Sequence, residues 1–231
     1  MELIWERPEP RGRTAAPVDR RRIVATAVAL ADAEGLSGLS MRKVGAELQV
    51  SPMRLYGYVA TKDELLDLMA DAVYGEIAAA LDDSPEWEEA LLAIAVTTRD
   101  RALRHEWFVE LIGGRPHLGP NALTVMEATA AALARALGPD GADRVMVALG
   151  VFNAYLVGAV RNEVSERRVS RESGAEKTQW QASVGAYLGR QLATGRYPTT
   201  ERILHGKPQG DPAETFAEEV AVIVRGVTHT G

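Results

Sequence analysis

The chain has 231 residues, 46% of them apolar and 25% charged, with a formal net charge of -6 and no cysteine. That length fits one or two domains with sizeable cores, that apolar share is too high for a disordered chain, and the missing thiols exclude disulfides, thiolate catalysis and Cys-ligated zinc. The opening MELIWERPEP carries acids where a secretion signal has a basic then apolar run, and no stretch reaches roughly 18 uncharged residues, so a cytoplasmic protein without a membrane partner is expected.

Residues 1–18 hold three prolines and no sustained periodicity, which reads as a flexible basic arm with an apolar contact from Ile4 and Trp5. From Asp19 the pattern turns helical, with Ile23, Ala27, Leu30 and Ala31 on one face and Gly35 as a stop. Ser40 caps a second short helix through Met41, Val44 and Leu48. Ser51-Pro52 opens a third by the same N-cap and Pro-at-N1 logic. Thr61 starts a fourth, with Glu64 completing a capping box.

Ser84-Pro85 opens a helix toward Leu103, and a broken apolar segment from Trp107 to Ile112 ends at Gly113-Gly114. Two helices follow, at about 120–137 and from 142 to about 166, separated by Gly138-Pro139-Asp140-Gly141. Residues 165–177 are polar and read as mobile. Helical spacing returns from Trp180 until Gly195, a loop runs through Pro198 and Pro208, and Asp211-Pro212 with Glu214 starts a last helix. No β run competes, so the fold class is all-α: a three-helix N-terminal domain over 19–69, joined by a linking helix to a larger helical domain over 70–231.

The net charge conceals an asymmetry: residues 1–62 carry ten basic against seven acidic side chains, +3, and the rest sixteen against twenty-five, -9. The excess gathers at Arg11, Arg13, Arg20, Arg21 and Arg22. Charge alone leaves a solvated tail and a nucleic-acid contact equally open. Pattern adds to it, because two short helices joined by the tight turn Gln49-Val50-Ser51 match the helix-turn-helix plan, whose second helix enters the major groove. Gly45 lets that helix pack closely, Val50 points to the core, and Ser51, Pro52, Met53, Arg54, Tyr56 and Tyr58 take the outer face.

The run GLSGLSMRKVGAELQVSPMRLYGYVATKDELLDLM resembles the DNA-binding domain of the tetracycline-repressor (TetR) family, with Leu55-Tyr56 in the recognition helix and Lys62-Asp63-Glu64-Leu65 opening the next. RYPTTERILHG and DPAETFAEEVAVIVRGV are similar, more loosely, to the end of its regulatory domain. The resemblance implies DNA contact at Arg42, Ser51, Pro52, Met53, Arg54, Tyr56, Gly57, Tyr58 and Lys62. Arg54 suits a guanine edge and Met53 a thymine methyl, whereas Arg42, Tyr56, Tyr58 and Lys62 suit phosphates. Arg11 and Arg13 are candidates for an adjacent minor groove. Two positions depart from the family: Gln49 stands where Gly is common in a turn that can require positive φ, and Gly57 replaces a larger residue inside the recognition helix.

The resemblance also implies a regulatory domain that dimerises through its last long helices and binds a small-molecule effector. Trp87, His105, Trp107, Phe108, Met126, Phe152, Asn153, Tyr155 and Trp180 are candidates to line that site, though aromatics at helical spacing serve equally as core. Met146, Leu149, Phe216, Val220, Ile223 and Val227 are candidates for the dimer interface. His105-Glu106 fails as a zinc-protease motif because Val109 occupies the position of the second His. No nucleophile and base pair, and no phosphate loop, stands out, so no enzyme, cofactor or metal is expected. The His-plus-magnesium site of tetracycline-binding members has no established spacing at His105 or His117. The expected protein is a homodimeric, effector-released repressor on a palindromic DNA operator; the alternative is a helical adaptor that uses its basic third for protein contact.

Overall fold

The computed structural model describes residues 3–10, 18–81, 86–114, 117–138, 141–172, 175–206 and 210–228, and for 172, 175–182 and 205 the backbone alone. Eleven helices and no strand occur among them. The first three, α1 (Arg20–Gly38), α2 (Met41–Glu47) and α3 (Pro52–Tyr56), pack around Ile23, Ala27, Val44 and Leu55 to form a small head. In α1 the Asp19 carboxylate caps the Arg22 N–H, and regular helix breaks at Gly35, whose φ of 71° suits glycine.

Helix α4 (Lys62–Ala78) links head to body, its Leu65, Met69, Val73 and Ile77 facing the core. Thr61 accepts from the Glu64 N–H at 3.1 Å, while the Glu64 carboxylate reaches back to the Ala60 N–H at 2.7 Å, one residue before the partner a standard capping box uses. The body comprises α5 (Trp87–Arg104), α6 (Phe108–Leu111), α7 (Pro120–Leu137), α8 (Ala142–Glu172) and α11 (Pro212–Thr228). Their shared core includes Leu91, Phe108, Leu133, Phe152, Val160 and Phe216. Helices α9 (Ala175–Leu192) and α10 (Pro198–Gly206) complete the chain order before α11.

Three elements differ from the sequence expectation. Residues 165–172 continue α8 instead of forming a mobile segment, because Arg168 and Arg171 reach Glu106 and Arg168 also reaches Glu110. Pro198 opens α10 where a loop was expected, its missing N–H costing nothing at a first helical position. Residues 3–10 are not a free arm: the Arg20 guanidinium donates to the carbonyls of Arg7, Ile4 and Tyr58, and Arg7 forms a two-point ion pair with Glu64. Arg20 is therefore a clamp and not part of an open basic patch. Arg11, Arg13, Ser84-Pro85, Pro139-Asp140 and Pro208 lie outside the described residues.

By length and composition α8 could cross a bilayer, contrary to the expectation that no segment approaches this. One stripe of it, Ala148, Phe152, Leu156, Val160 and Val164, packs instead into the body core.

Candidate nucleic-acid interface and regulatory domain

The interface is built by the turn between α2 and α3. Ser40 caps α2 through the Lys43 N–H at 3.3 Å, and Gln49 takes φ 57°, the left-handed conformation that favours glycine. The Val50 N–H closes the turn on the Gly45 carbonyl at 2.8 Å. Gly45 is needed there because a Cβ would lie 2.8 Å from the Val50 oxygen. Ser51 and Pro52 start α3 as expected, but the Ser51 hydroxyl makes no capping hydrogen bond.

Only five residues are helical in α3, with Gly57 as its C-cap, so Gly57 ends the recognition helix and does not interrupt it. Leu55 anchors the helix in the core. Met53, at 79% exposure, stands out with Ser51, Tyr56 and Gly57, while Pro52 and Arg54 are half-buried. Arg42 and Lys62 flank this face from α2 and α4, both exposed, and Lys62 Nζ donates to the Leu36 carbonyl at 3.4 Å.

Tyr58 is a correction. At 5% exposure it belongs to the head core, and its backbone carbonyl accepts from Arg20 at 3.0 Å. It lies past the end of α3, so the helical spacing that placed it outward no longer applies there.

The nine candidate effector residues do not converge on one cavity. Trp87 lines an apolar cleft of about 400 Å³ with Leu92, Val220 and Val224. Trp107 edges a different, polar cleft between α1 and the α5–α6 corner. Phe108 and Phe152 are core, Met126 is exposed, and Asn153 is exposed, so its amide needs no buried partner. Tyr155 donates to Glu219 at 2.9 Å and stacks on Phe216. The Trp180 side chain lies outside the described residues. His105 is buried at the junction of head and body, where its Nδ1 lies 2.8 Å from the Asp32 carboxylate. Among the described residues no group of His, Asp and Glu side chains is placed to hold a metal, and His117 Nε2 bonds the Leu111 carbonyl at 3.0 Å.

The interface candidates also divide. Phe216 and Val220 are buried within the chain, the former under the Arg99 guanidinium at 5.5 Å, so they cover the body core and are not free for a partner. Met146 at 73% exposure remains outward, with Leu149, Ile223 and Val227 half-buried. Sequence reasoning missed Val147, Val151 and Val222, which join Ile223 and Val227 along an apolar cleft of about 610 Å³ between α8 and α11. It also missed Asp71, a buried carboxylate on α4 that accepts from the Asn121 and Ala122 N–H groups at the start of α7. No signal for it stands in the sequence, because Asp71 falls on the polar side of α4 with Glu64 and Asp67 and is buried only by the start of α7.

A compact head with a capped helix-turn-helix, carried on a linking helix by a larger helical body, defines a DNA-binding regulator of transcription. The chain belongs to the TetR family: residues 23–69 match the family model for bacterial regulatory proteins of the tetR family, and residues 81–230 match that for the tetracyclin repressor-like C-terminal domain. It is 40% identical over 204 residues to the HTH-type transcriptional repressor DrrR1 of Streptomyces coeruleorubidus, covering 86% of this chain and 73% of that one. Among solved structures, apo ActR from Streptomyces coelicolor aligns over 92% of this chain and 98% of its own, with a TM-score of 0.73 and 27% identity. ActR in complex with actinorhodin gives the same TM-score, 0.73, at 28% identity and over 92% of this chain and 97% of its own.

Proposed function

We propose that this regulator is a cytoplasmic repressor that binds a palindromic operator as a homodimer and leaves it when a small organic effector binds the body. The observation that carries the reading is the outer face of α3: a helix anchored by Leu55 presents Ser51, Met53 and Tyr56 to solvent, flanked by Arg42 and Lys62. An exposed methionine and tyrosine on a five-residue helix add nothing to the core, and their chemistry suits a thymine methyl and a phosphate.

Dimerisation is supported by the apolar strip of Met146, Val147, Val151 and Val222 on α8 and α11, a face that one chain leaves open. Two-fold symmetry would set the two α3 helices about 34–36 Å apart, one turn of DNA. Effector release is supported by the kinship with ActR, which is seen in complex with actinorhodin, and by the Trp87 cleft. Selection of bound sequences from randomised duplexes, followed by salt titration of the winner, tests the reading. Inverted repeats and a steep loss of affinity with salt are expected; recovery of no enriched sequence would overturn it.

A further inference from the structure

Helix α4 is the axis that carries the head, since it packs along α1 on one side and along α5 and α7 on the other. A single axial helix leaves rotation of the head about it weakly opposed, so an off-axis contact decides the angle. Such a contact exists at the C-terminal part of α1. Asp32 Oδ1 accepts from Trp107 Nε1 at 2.6 Å and from His105 Nδ1 at 2.8 Å, both at the α5–α6 corner of the body. A carboxylate only accepts, so Nδ1 is the donor.

The other ring nitrogen faces the linking helix α4. His105 Nε2 lies 3.3 Å from Glu76 Oε1 on α4 but makes no hydrogen bond there, and this nitrogen is buried without a hydrogen-bond partner. Arg101 Nε is in the same condition, 3.4 Å from Glu76 Oε2, and Arg104 reaches that oxygen at 3.5 Å. The imidazole thus has a closed contact with α1 and an open one with α4. Turning the head about α4 carries Asp32, which stands off that axis, away from His105 and Trp107, whereas Glu76 lies on the axis and keeps its place.

We infer that Asp32, held by His105 and Trp107, is a latch between α1 and the body, and that Asp32 is the positioning residue that fixes the angle of the DNA-reading head. The latch does not rest on the proposed repressor reading.

The cysteine-free sequence makes the test direct. Met53→Cys on α3 and Met126→Cys on α7, both exposed in the parent, carry spin labels, and the doubly labelled chain is diluted into excess unlabelled protein so that the intrachain distance alone is read. Asp32→Ala is expected to shift or broaden that distance distribution. Asp32→Asn, whose amide oxygen still accepts from His105 and Trp107, is expected to keep the parent distribution. Should Asp32→Ala not fold, Trp107→Phe decides, since it removes one donor and keeps the ring, and a shift is again expected. The parent distribution in folded Asp32→Ala, or in Trp107→Phe where that variant decides, overturns the latch. No DNA or effector enters the measurement, so failure of the operator reading leaves its result intact.

Discussion

Asp71 accepts the backbone N–H of Asn121 at 3.0 Å, and the same Oδ1 accepts that of Ala122 at 2.9 Å, so the linking helix caps the first turn of α7 from outside. The Asn121 amide returns the contact to Asp71 Oδ2 and to the Asp71 carbonyl. Burial pushes the Asp71 carboxyl up, and these donors oppose it. Asp71→Ala leaves two backbone N–H groups without their acceptor and the Asn121 amide with the Asp71 carbonyl alone, and is expected to cost about 1–3 kcal/mol. Gly119→Ala attacks the same joint, because its Cβ would fall 2.2 Å from Asp71 Oδ1. Thermal unfolding checks both, at roughly 2–4 °C of lowered Tm per kcal/mol for a chain of this size.

Arg54→Ala is expected to relax sequence preference at one operator position, at about 1–3 kcal/mol against the preferred base. Lys62→Ala is expected to weaken all duplexes alike and to reduce the salt dependence by about one counterion. Tyr58 separates core from interface: Tyr58→Phe should leave operator affinity unchanged, whereas Tyr58→Ala should destabilise the head by roughly 3 kcal/mol. Quantitative binding to a selected operator and its single-base variants reads the first two, and denaturant unfolding reads the third.

How far these elements were legible in the sequence depended on whether the cause was local. Pro120 and Gly138 bound α7 at the expected residues because both act through their own backbone, Pro at N1 and Gly at φ 83°. The end of α8 was illegible because its polar last turns are held by Glu106 and Glu110, about sixty residues earlier in the chain. Tyr58 departs from the helical spacing because it lies two residues past a helix that stops at Tyr56. The stripe of Phe216 and Val220 was correctly read as apolar, but a stripe does not say whether the same chain or a second copy covers it. Asp32 and His105, 73 residues apart, share no pattern at all.

The turn offers a paired test of backbone causes. Gly45→Ala places a Cβ 2.8 Å from the Val50 carbonyl oxygen, a backbone atom that cannot step aside without opening the turn. It is expected to lower head stability and operator affinity together. Gln49→Gly relieves a positive φ worth about 1–2 kcal/mol and adds unfolded-chain entropy worth about 0.5–1 kcal/mol, so it should be neutral to mildly stabilising. Denaturant midpoints of the two variants, measured side by side, check the opposite signs.

Charge placed on the open strip of α8 and α11 tests the assembly. Val147 and Val222 are exposed at 68% and 59%, so Val147→Glu with Val222→Glu costs the single chain little. In a dimer the same pair buries charge without a partner, at a cost of several kcal/mol. Sedimentation at micromolar concentration should show the parent as a dimer and the double variant as a folded monomer with weakened operator binding. A parent that sediments as a monomer removes the dimer from the proposed function.

The N-terminal segment supplies a pH signature. Arg7 donates to both Glu64 oxygens, at 2.9 and 2.5 Å, and this contact foremost holds the Glu64 carboxyl below its ordinary 4.5, against a smaller opposing effect of burial. In the window below 4.5 the unfolded chain binds more protons at this site than the folded one, so stability rises with pH there. The contribution is therefore complete above pH 4.5 and is lost as pH falls through the lower folded value. Because both side chains are partly exposed, the pair is worth about 1 kcal/mol at most. Arg7→Ala should accordingly melt below the parent at pH 6, and the gap should close on acidification toward pH 3. A gap that stays constant over that range would assign the Arg7 contribution to packing of residues 3–10 and not to its carboxylate partner.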